Sequence, residues 1–244
     1  AQLVVMLVMM VGVFRSKKEE NVLKGIRLFE PFSKEELGNI CKIGGPTAIQ
    51  GMVYCMISMV LTRMVAAFGA EAIATQRVGG QIESVSWNTA DGFAAALNAF
   101  VGQNYGAKKM DRVQKGYRIS FWTVAIWGAL IMLAFIIFPG PIAGVFFHEE
   151  KAMEIAISYL IIIGFSEAFM CVELMTVGAL SGLGKTKLCS VISITATSMR
   201  IPLAMVLSRT SLGLDGIWWA LTLTSVAKGI IFYLTFRYQM CEKC

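Results

Sequence analysis

Residues 81–104 read QIESVSWNTADGFAAALNAFVGQN. The stretch reads as the main part of a membrane span, yet it carries Glu83, Asn88, Asp91 and Asn98. Gln81, Ser84, Asn88, Asp91 and Asn98 recur at helical intervals and share one face, with Ala95 filling the gap. Glu83 and Trp87 form an i, i+4 pair on the neighbouring face, and Ala94, Ala95, Ala96 and Ala99 permit close helix packing. An ionised carboxylate at the centre of a bilayer costs at least ~2.5–3.5 kcal/mol, so such a residue faces a partner or a water-filled cavity. A helix of this kind belongs to a membrane bundle that encloses polar surface.

Composition agrees. The 244 residues are 56% hydrophobic and 16% charged, against about 25% charged in soluble domains. Long apolar runs spread over the whole chain place it among integral membrane proteins. Spans are expected at 38–66, 72–103, 117–138, 152–181, 187–208 and 214–237, which predicts an all-α bundle of six membrane helices. The opening AQLVVMLVMMVGVF is about 21 Å long as a helix, short of the ~30 Å of hydrocarbon, and its basic residues follow it. It reads as the end of a preceding span, with the N-terminal part of a larger protein missing. The expected organisation is a helix remnant at 1–14, a cytoplasmic linker at 15–37, the bundle at 38–238 and a cytoplasmic tail at 239–244. Ser33 and Glu36 have capping-box spacing, which predicts a helix start at Lys34. The PGP at 139–141 should end the third span and leave a short amphipathic piece after it.

Most of the 22 Lys and Arg residues fall on one side: the linker and the next helix start (Arg15 to Lys42), the Lys108–Arg118 loop, Lys185, Lys187, Arg237 and Lys243. That asymmetry puts these loops and the C-terminus in the cytoplasm. It accounts for the net charge of +6 without a nucleic-acid partner.

Other spans also carry polar stripes. Thr47, Gln50, Tyr54, Ser58 and Thr62 follow one in the first, and Ser190, Ser193, Thr197 and Arg200 in the fifth. Ser166 and Glu173 share a face in the fourth, while Glu167 points elsewhere. These stripes fit a shared wet cavity or interhelical hydrogen bonding worth roughly 0.6 kcal/mol per contact. Arg200 is the expected counter-ion of Asp91 or Glu83, and the one basic residue firmly inside.

Three signals point elsewhere and are set aside. GALSGLGKT at 178–186 resembles a phosphate-binding loop, but Ala179 stands where that loop needs Gly, and the segment follows an apolar helix. Gly178 and Gly182 fit a helix-packing patch instead. The closing CEKC lacks a second ligand pair, and the six cysteines read as free thiols. The single His148 is a surface residue, and no hydrolytic motif occurs.

From about 38 to 238 the chain resembles the multidrug and toxic-compound extrusion (MATE) family. The similar segments are KIGGPTAIQ, FGAEAIAT, FVGQNYGAKK, GALSGLGKT and RIPLA, in that order. The resemblance implies the second of two six-helix bundles, with the N-terminal six-helix bundle of the same protein as partner. It further implies secondary active efflux of drugs and organic cations by alternating access, as antiport against inward H⁺ or Na⁺, in the inner or plasma membrane. No cofactor beyond that ion and no enzymatic activity are implied. Some members carry a cation-coordinating Glu on the seventh helix, where this chain has Gln50 and Tyr54. The tenth-helix Asp of those members falls near Met170, a turn from Glu173. Many members have Arg and Asp where this chain has Ser181 and Lys185. The coupling ion therefore stays open between H⁺ and Na⁺.

The expected cavity is lined by Gln50, Tyr54, Gln81, Glu83, Ser84, Asn88, Asp91, Glu173, Thr197 and Arg200. It would take small amphipathic or cationic substrates, with Tyr54 or Trp87 offering a π face to a cation and Asp91 or Glu83 exchanging a proton. A lipid-linked oligosaccharide flippase of related fold and a non-transporting membrane subunit are the alternatives.

Overall fold

The computed structural model describes residues 4, 6–8, 10, 11 and 33–241, except the side chains of Asn39, Ile43 and Cys241. The chain divides into two compact units, Ala1–Cys41 and Lys42–Cys244. In the first, Val4, Met6, Leu7, Val8, Met10 and Val11 are helical and exposed. The linker expected at 15–37 lies outside the described residues as far as residue 32, as do tail residues 242–244.

Helix α1 (Lys34–Ala66) starts where the sequence places it. The Glu36 backbone N–H donates to Ser33 Oγ at 3.2 Å, one half of the capping box. Then follow α2 (Ala70–Gly106), α3 (Met110–Ile137), the short α4 (Pro139–Gly144), α5 (Glu150–Gly182), α6 (Thr186–Ser198), α7 (Arg200–Leu207) and α8 (Gly213–Cys241). Among the described residues, five segments are long and apolar enough to cross a membrane: Gly44–Ala66, Met110–Ile137, Glu150–Gly182, Thr186–Leu207 and Gly213–Met240. The sixth expected span, α2, is too polar to join them. Its 37 residues reach about 56 Å, well beyond a bilayer core, and it packs one face against α5 and α3.

The observed breaks follow from prolines and glycines. The third helix begins at Met110 rather than 117, since the basic segment before the apolar run is also helical. As read from the sequence, the PGP ends the third span, at Ile137, and a short piece follows; Pro139 and Pro141 open it as α4, because first-turn N–H groups lack intrahelical partners anyway. The expected fifth span is interrupted between Ser198 and Arg200. Pro202 explains this: it has no N–H for the Ser198 carbonyl, and its ring crowds that oxygen. Gly184 (φ 75°) ends α5 in a Schellman turn, with Lys185 N–H donating to Leu180 O and Gly184 N–H to Ser181 O, both at 2.9 Å. The phosphate-loop lookalike is thus a helix C-cap.

Helix α5 is central and packs against α2, α3 and α8. Each contact passes through a glycine with no room for a side chain. A Cβ on Gly128 of α3 would lie 2.7 Å from Ala168 Cα, and one on Gly229 of α8 would lie 2.7 Å from Phe169 O. On α5 itself, Gly178 and Gly182 meet the backbone of α2 at Ala94 and Asn98. Leu97, Val101, Val113, Tyr117, Met175, Leu180, Phe232 and Phe236 fill one end of this core. Tyr117 stacks on Phe236 with ring centroids 3.6 Å apart, and its hydroxyl shares a hydrogen bond with Thr176 Oγ1 at 2.9 Å. Phe135, Phe147, Leu160, Ile163 and Trp218 fill the other end. There, exposed Lys151 and Glu71 lie 3.5 Å apart across the starts of α5 and α2, an ion pair of little energetic weight. Helix α1 packs through Ile57, Leu61 and Val65 against Ala204, Ile217 and Ala220. The space between α1 and α5 is left for a cavity.

Candidate functional site

A cavity of about 900 Å³ opens between α1, α2, α5, α6, α7 and α8. From α1 it takes Gln50, Tyr54 and Ser58, three members of the polar stripe read in that span. From α5 it takes Ser166, Met170 and Glu173, and from α6 Ser193 and Thr197. The break at Met199 brings Arg200 to the wall, opposite Ser225 and Lys228 of α8. Helix α2 contributes Gln76, Arg77, Gln81, Glu83 and Trp87.

Seven of the ten expected site residues therefore share one cavity: Gln50, Tyr54, Gln81, Glu83, Glu173, Thr197 and Arg200. Ser84, Asn88 and Asp91 do not line it. Asn88 and Asp91 are exposed on the outside of the bundle, and Ser84 Oγ donates to the Gln81 carbonyl of its own helix at 2.6 Å. The reason is rotational. Successive helical residues turn by about 100°, and the cavity takes the Gln76–Gly80–Glu83–Trp87 face, next to the stripe that the spacing picks out.

Two ion and hydrogen-bond clusters organise the wall. Lys228 Nζ donates to Glu173 Oε1 at 2.7 Å, with both side chains less than a tenth exposed. Arg200, 9% exposed, donates from Nε to Thr224 Oγ1 at 3.1 Å and from Nη2 to Ser225 Oγ at 2.9 Å. Thr224 spends its own proton on carbonyls of its helix, at Ala220 (2.8 Å) and Leu221 (2.9 Å), so its lone pairs face Arg200. Arg200 is the counter-ion that the sequence assigns to Asp91 or Glu83. Among the described residues it has hydroxyl partners and no ion pair, and Lys228 takes Glu173. Nor is it the one basic residue inside, since Arg77 and Lys228 line the same cavity.

Opposite, the Tyr159 hydroxyl donates to Glu83 Oε1. Gly79 makes this possible: a Cβ there would sit 2.1 Å from Tyr159 Cε1. A glycine inside a helix costs about 1 kcal/mol relative to Ala, offset here by room for a ring that reaches the acid one turn on. Glu167 lies behind this pair, away from the cavity, as its offset from Ser166 and Glu173 implies. It is completely buried, and neither carboxyl oxygen has a hydrogen-bond partner among the described residues. Glu167→Met is therefore expected to stabilise the fold by about 1–3 kcal/mol, by removing an unsatisfied buried group of similar size. Thermal unfolding of the purified protein checks this, and a lower melting temperature would contradict it.

Gln76, Arg77, Tyr159, Ser225 and Lys228 were not anticipated. Lys228 was legible, because an ionisable residue within an apolar run is a functional-site candidate by default. Tyr159 was not, since nothing local marks a tyrosine as facing an acid on another helix. The four cysteines described in full, Cys41, Cys55, Cys171 and Cys189, are free thiols.

Comparison with known proteins gives a consistent answer. The family model described as MatE matches residues 46–206. The probable multidrug resistance protein NorM of Thermotoga maritima is 28% identical over 209 residues, covering 82% of this chain and 44% of that protein. The multidrug export protein MepA of Staphylococcus aureus is 22% identical, covering 91% of this chain and 49% of its own length. The chain thus spans about half the length of these curated relatives. In fold it is similar to the crystal structure of MATE in the straight conformation, with TM-score 0.85 and 20% identity over 98% of this chain and 54% of that one. With its family model matched across most of the bundle, this membrane-helix chain belongs to the MatE family.

Proposed function

We propose that the chain is one bundle of a secondary active efflux transporter that expels small amphipathic compounds by alternating access, as antiport against inward H⁺ or Na⁺. The observation that carries this reading is the cavity: about 900 Å³ of space with charged and hydroxyl-bearing walls inside an apolar helix bundle. Intramembrane ionisable groups are costly and line substrate or ion paths, and the volume suits a drug-sized molecule. The family relatives named as multidrug proteins point the same way. A transporter rather than an enzyme is the reading, with the coupling ion as its only added component.

In this reading, residues 38–238 work against a second six-helix bundle, which makes up the rest of a protein of the relatives' length. Asn88 and Asp91, exposed on α2 outside the cavity, face that bundle rather than lipid, where a carboxylate would be costly. Glu83, held by Tyr159 at the cavity wall, exchanges the coupling proton or yields to the coupling cation. The protein sits as a multi-pass protein in the cell membrane, with its basic loops, linker and C-terminus in the cytoplasm.

The test is efflux of a fluorescent amphipathic probe from cells expressing the complete gene, under an imposed H⁺ or Na⁺ gradient. A Glu83→Gln, Asp91→Asn double variant is expected to lose gradient-driven efflux by about 5- to 150-fold, the usual size of a coupling between two sites. Unchanged efflux would remove both acids from the mechanism. Flipping of a lipid-linked oligosaccharide is a second reading, favoured by one observation: Arg77 joins Arg200 at the cavity wall, two basic groups that could meet a phosphate. A subunit that transports nothing would need no such cavity.

A further inference from the structure

The cavity's charges are unevenly matched. Lys228 is neutralised by Glu173 at 2.7 Å, while Glu83 accepts a hydrogen bond from the Tyr159 hydroxyl on another wall. Arg200 is buried, yet its only hydrogen-bond partners among the described residues are the hydroxyls of Thr224 and Ser225. Hydroxyls orient a guanidinium without neutralising it, and a buried charge without a counter-charge costs several kcal/mol. Glu83 lines the same cavity but, among the described residues, forms no ion pair with Arg200. The planar group, held at Nε and Nη2, leaves Nη1 for a further acceptor, and Arg77 lines the same cavity, also without an ion pair among the described residues. At Arg200 itself a cation would meet like charge, which costs several kcal/mol at close range. A carboxylate or phosphate would find a fixed donor with its partners in place.

We infer that Arg200, oriented by Thr224 and Ser225, is the docking point for the anionic group of an amphipathic substrate, with Arg77 adding positive field to the same cavity. The inference rests on the efflux reading for its substrate but not for its binding step. It reverses the substrate charge expected from the aromatic side chains of the cavity. The anionic group belongs either to a freely diffusing compound or to a lipid head group, and the two are separable by experiment.

The protein from the complete gene, purified in nanodiscs of zwitterionic phosphatidylcholine, would be titrated with the anionic dye carboxyfluorescein and the cationic dye rhodamine 6G. Carboxyfluorescein is expected to bind, and Arg200→Gln to weaken it by about tenfold to a hundredfold, the range of a charge-assisted hydrogen bond. Arg200→Lys should retain part of the affinity, and the ratio of anion to cation affinity should fall in the order wild type, Lys, Gln. Arg209→Gln removes an exposed charge just after α7 and should leave that ratio unaltered. Monodisperse elution of Arg200→Lys keeps the comparison independent of folding defects in Arg200→Gln. Repetition in nanodiscs containing anionic phosphatidylglycerol separates the sources: competition with the dye that is lost in Arg200→Gln identifies a lipid head group, and its absence a soluble anion. Failure of carboxyfluorescein to bind, or equal binding by wild type and Arg200→Gln, overturns the inference. Arg200-dependent binding without gradient-driven efflux would uphold the anion site and defeat the efflux reading. Efflux of rhodamine 6G alone, with no anion binding, would do the reverse.

Discussion

Lys228→Met is expected to destabilise the bundle by about 3–5 kcal/mol, the usual cost of removing one partner of a buried ion pair. The Nζ–Oε1 distance of 2.7 Å and the 8% and 9% side-chain exposures leave Glu173 little water to replace the lost ammonium. Glu173 then stays as an uncompensated carboxylate between α5 and α8, and that penalty, more than the pair's own attraction, sets the size of the effect. The corollary is sharper than the single variant. Glu173→Met combined with Lys228→Met removes both charges and fills the space with apolar atoms, so it should recover most of the loss. Thermal unfolding in detergent, followed by intrinsic fluorescence, reads both. A Lys228→Met protein as stable as wild type would show that water from the cavity already solvates Glu173. A double variant as unstable as the single would show that packing, not charge, was lost.

That pair also marks how far the sequence can be read. Apolar runs, the Ser33 cap and the PGP segment place most helix ends to within a few residues, because each rests on local chemistry. The interruption after Ser198 was equally local, since Pro202 stands four residues beyond the carbonyl it leaves bare. Which face of a helix meets the cavity is not local. Periodicity shows that Gln81, Ser84, Asn88 and Asp91 run together, but a helix carries several such rows. The row that turns inward is fixed by how α2 seats on α5, where Ala90, Ala94, Leu97 and Val101 are buried. Gln81 and Glu83 are thereby brought to the cavity while Asp91 is left outside the bundle. Partner choice is less local still. Arg200 reads as the counter-ion of Asp91 or Glu83, and only the packing of α8 shows that hydroxyls claim the arginine and that Lys228 pairs with Glu173.

The seating of α2 on α5 has its own test in Gly178, the residue that gives the phosphate-loop lookalike its first glycine. A Cβ at Gly178 would lie 2.4 Å from Ala94 O and 2.9 Å from Ala94 C and Cα. One turn on, a Cβ at Gly182 would lie 2.6 Å from Asn98 O. These obstacles are backbone atoms, so no rotamer change relieves them; the helices must part. Small residues at such a seam let two membrane helices approach closely, and dispersion then supplies much of their attraction. Gly178→Ala is accordingly expected to cost about 1–3 kcal/mol, against the gain of up to about 1 kcal/mol that Ala brings to a helix interior. Gly178→Leu should prevent assembly of the bundle. Gly92 provides the contrast on α2, with nothing within 4 Å of its added Cβ, so Gly92→Ala should be neutral or slightly stabilising. Fluorescence-detected size exclusion of fusions to a fluorescent protein ranks all three in one experiment. A monodisperse Gly178→Leu protein with wild-type melting temperature would mean that α2 and α5 do not meet here, and the faces of α2 assigned to the cavity and to the exterior would then be wrong as well.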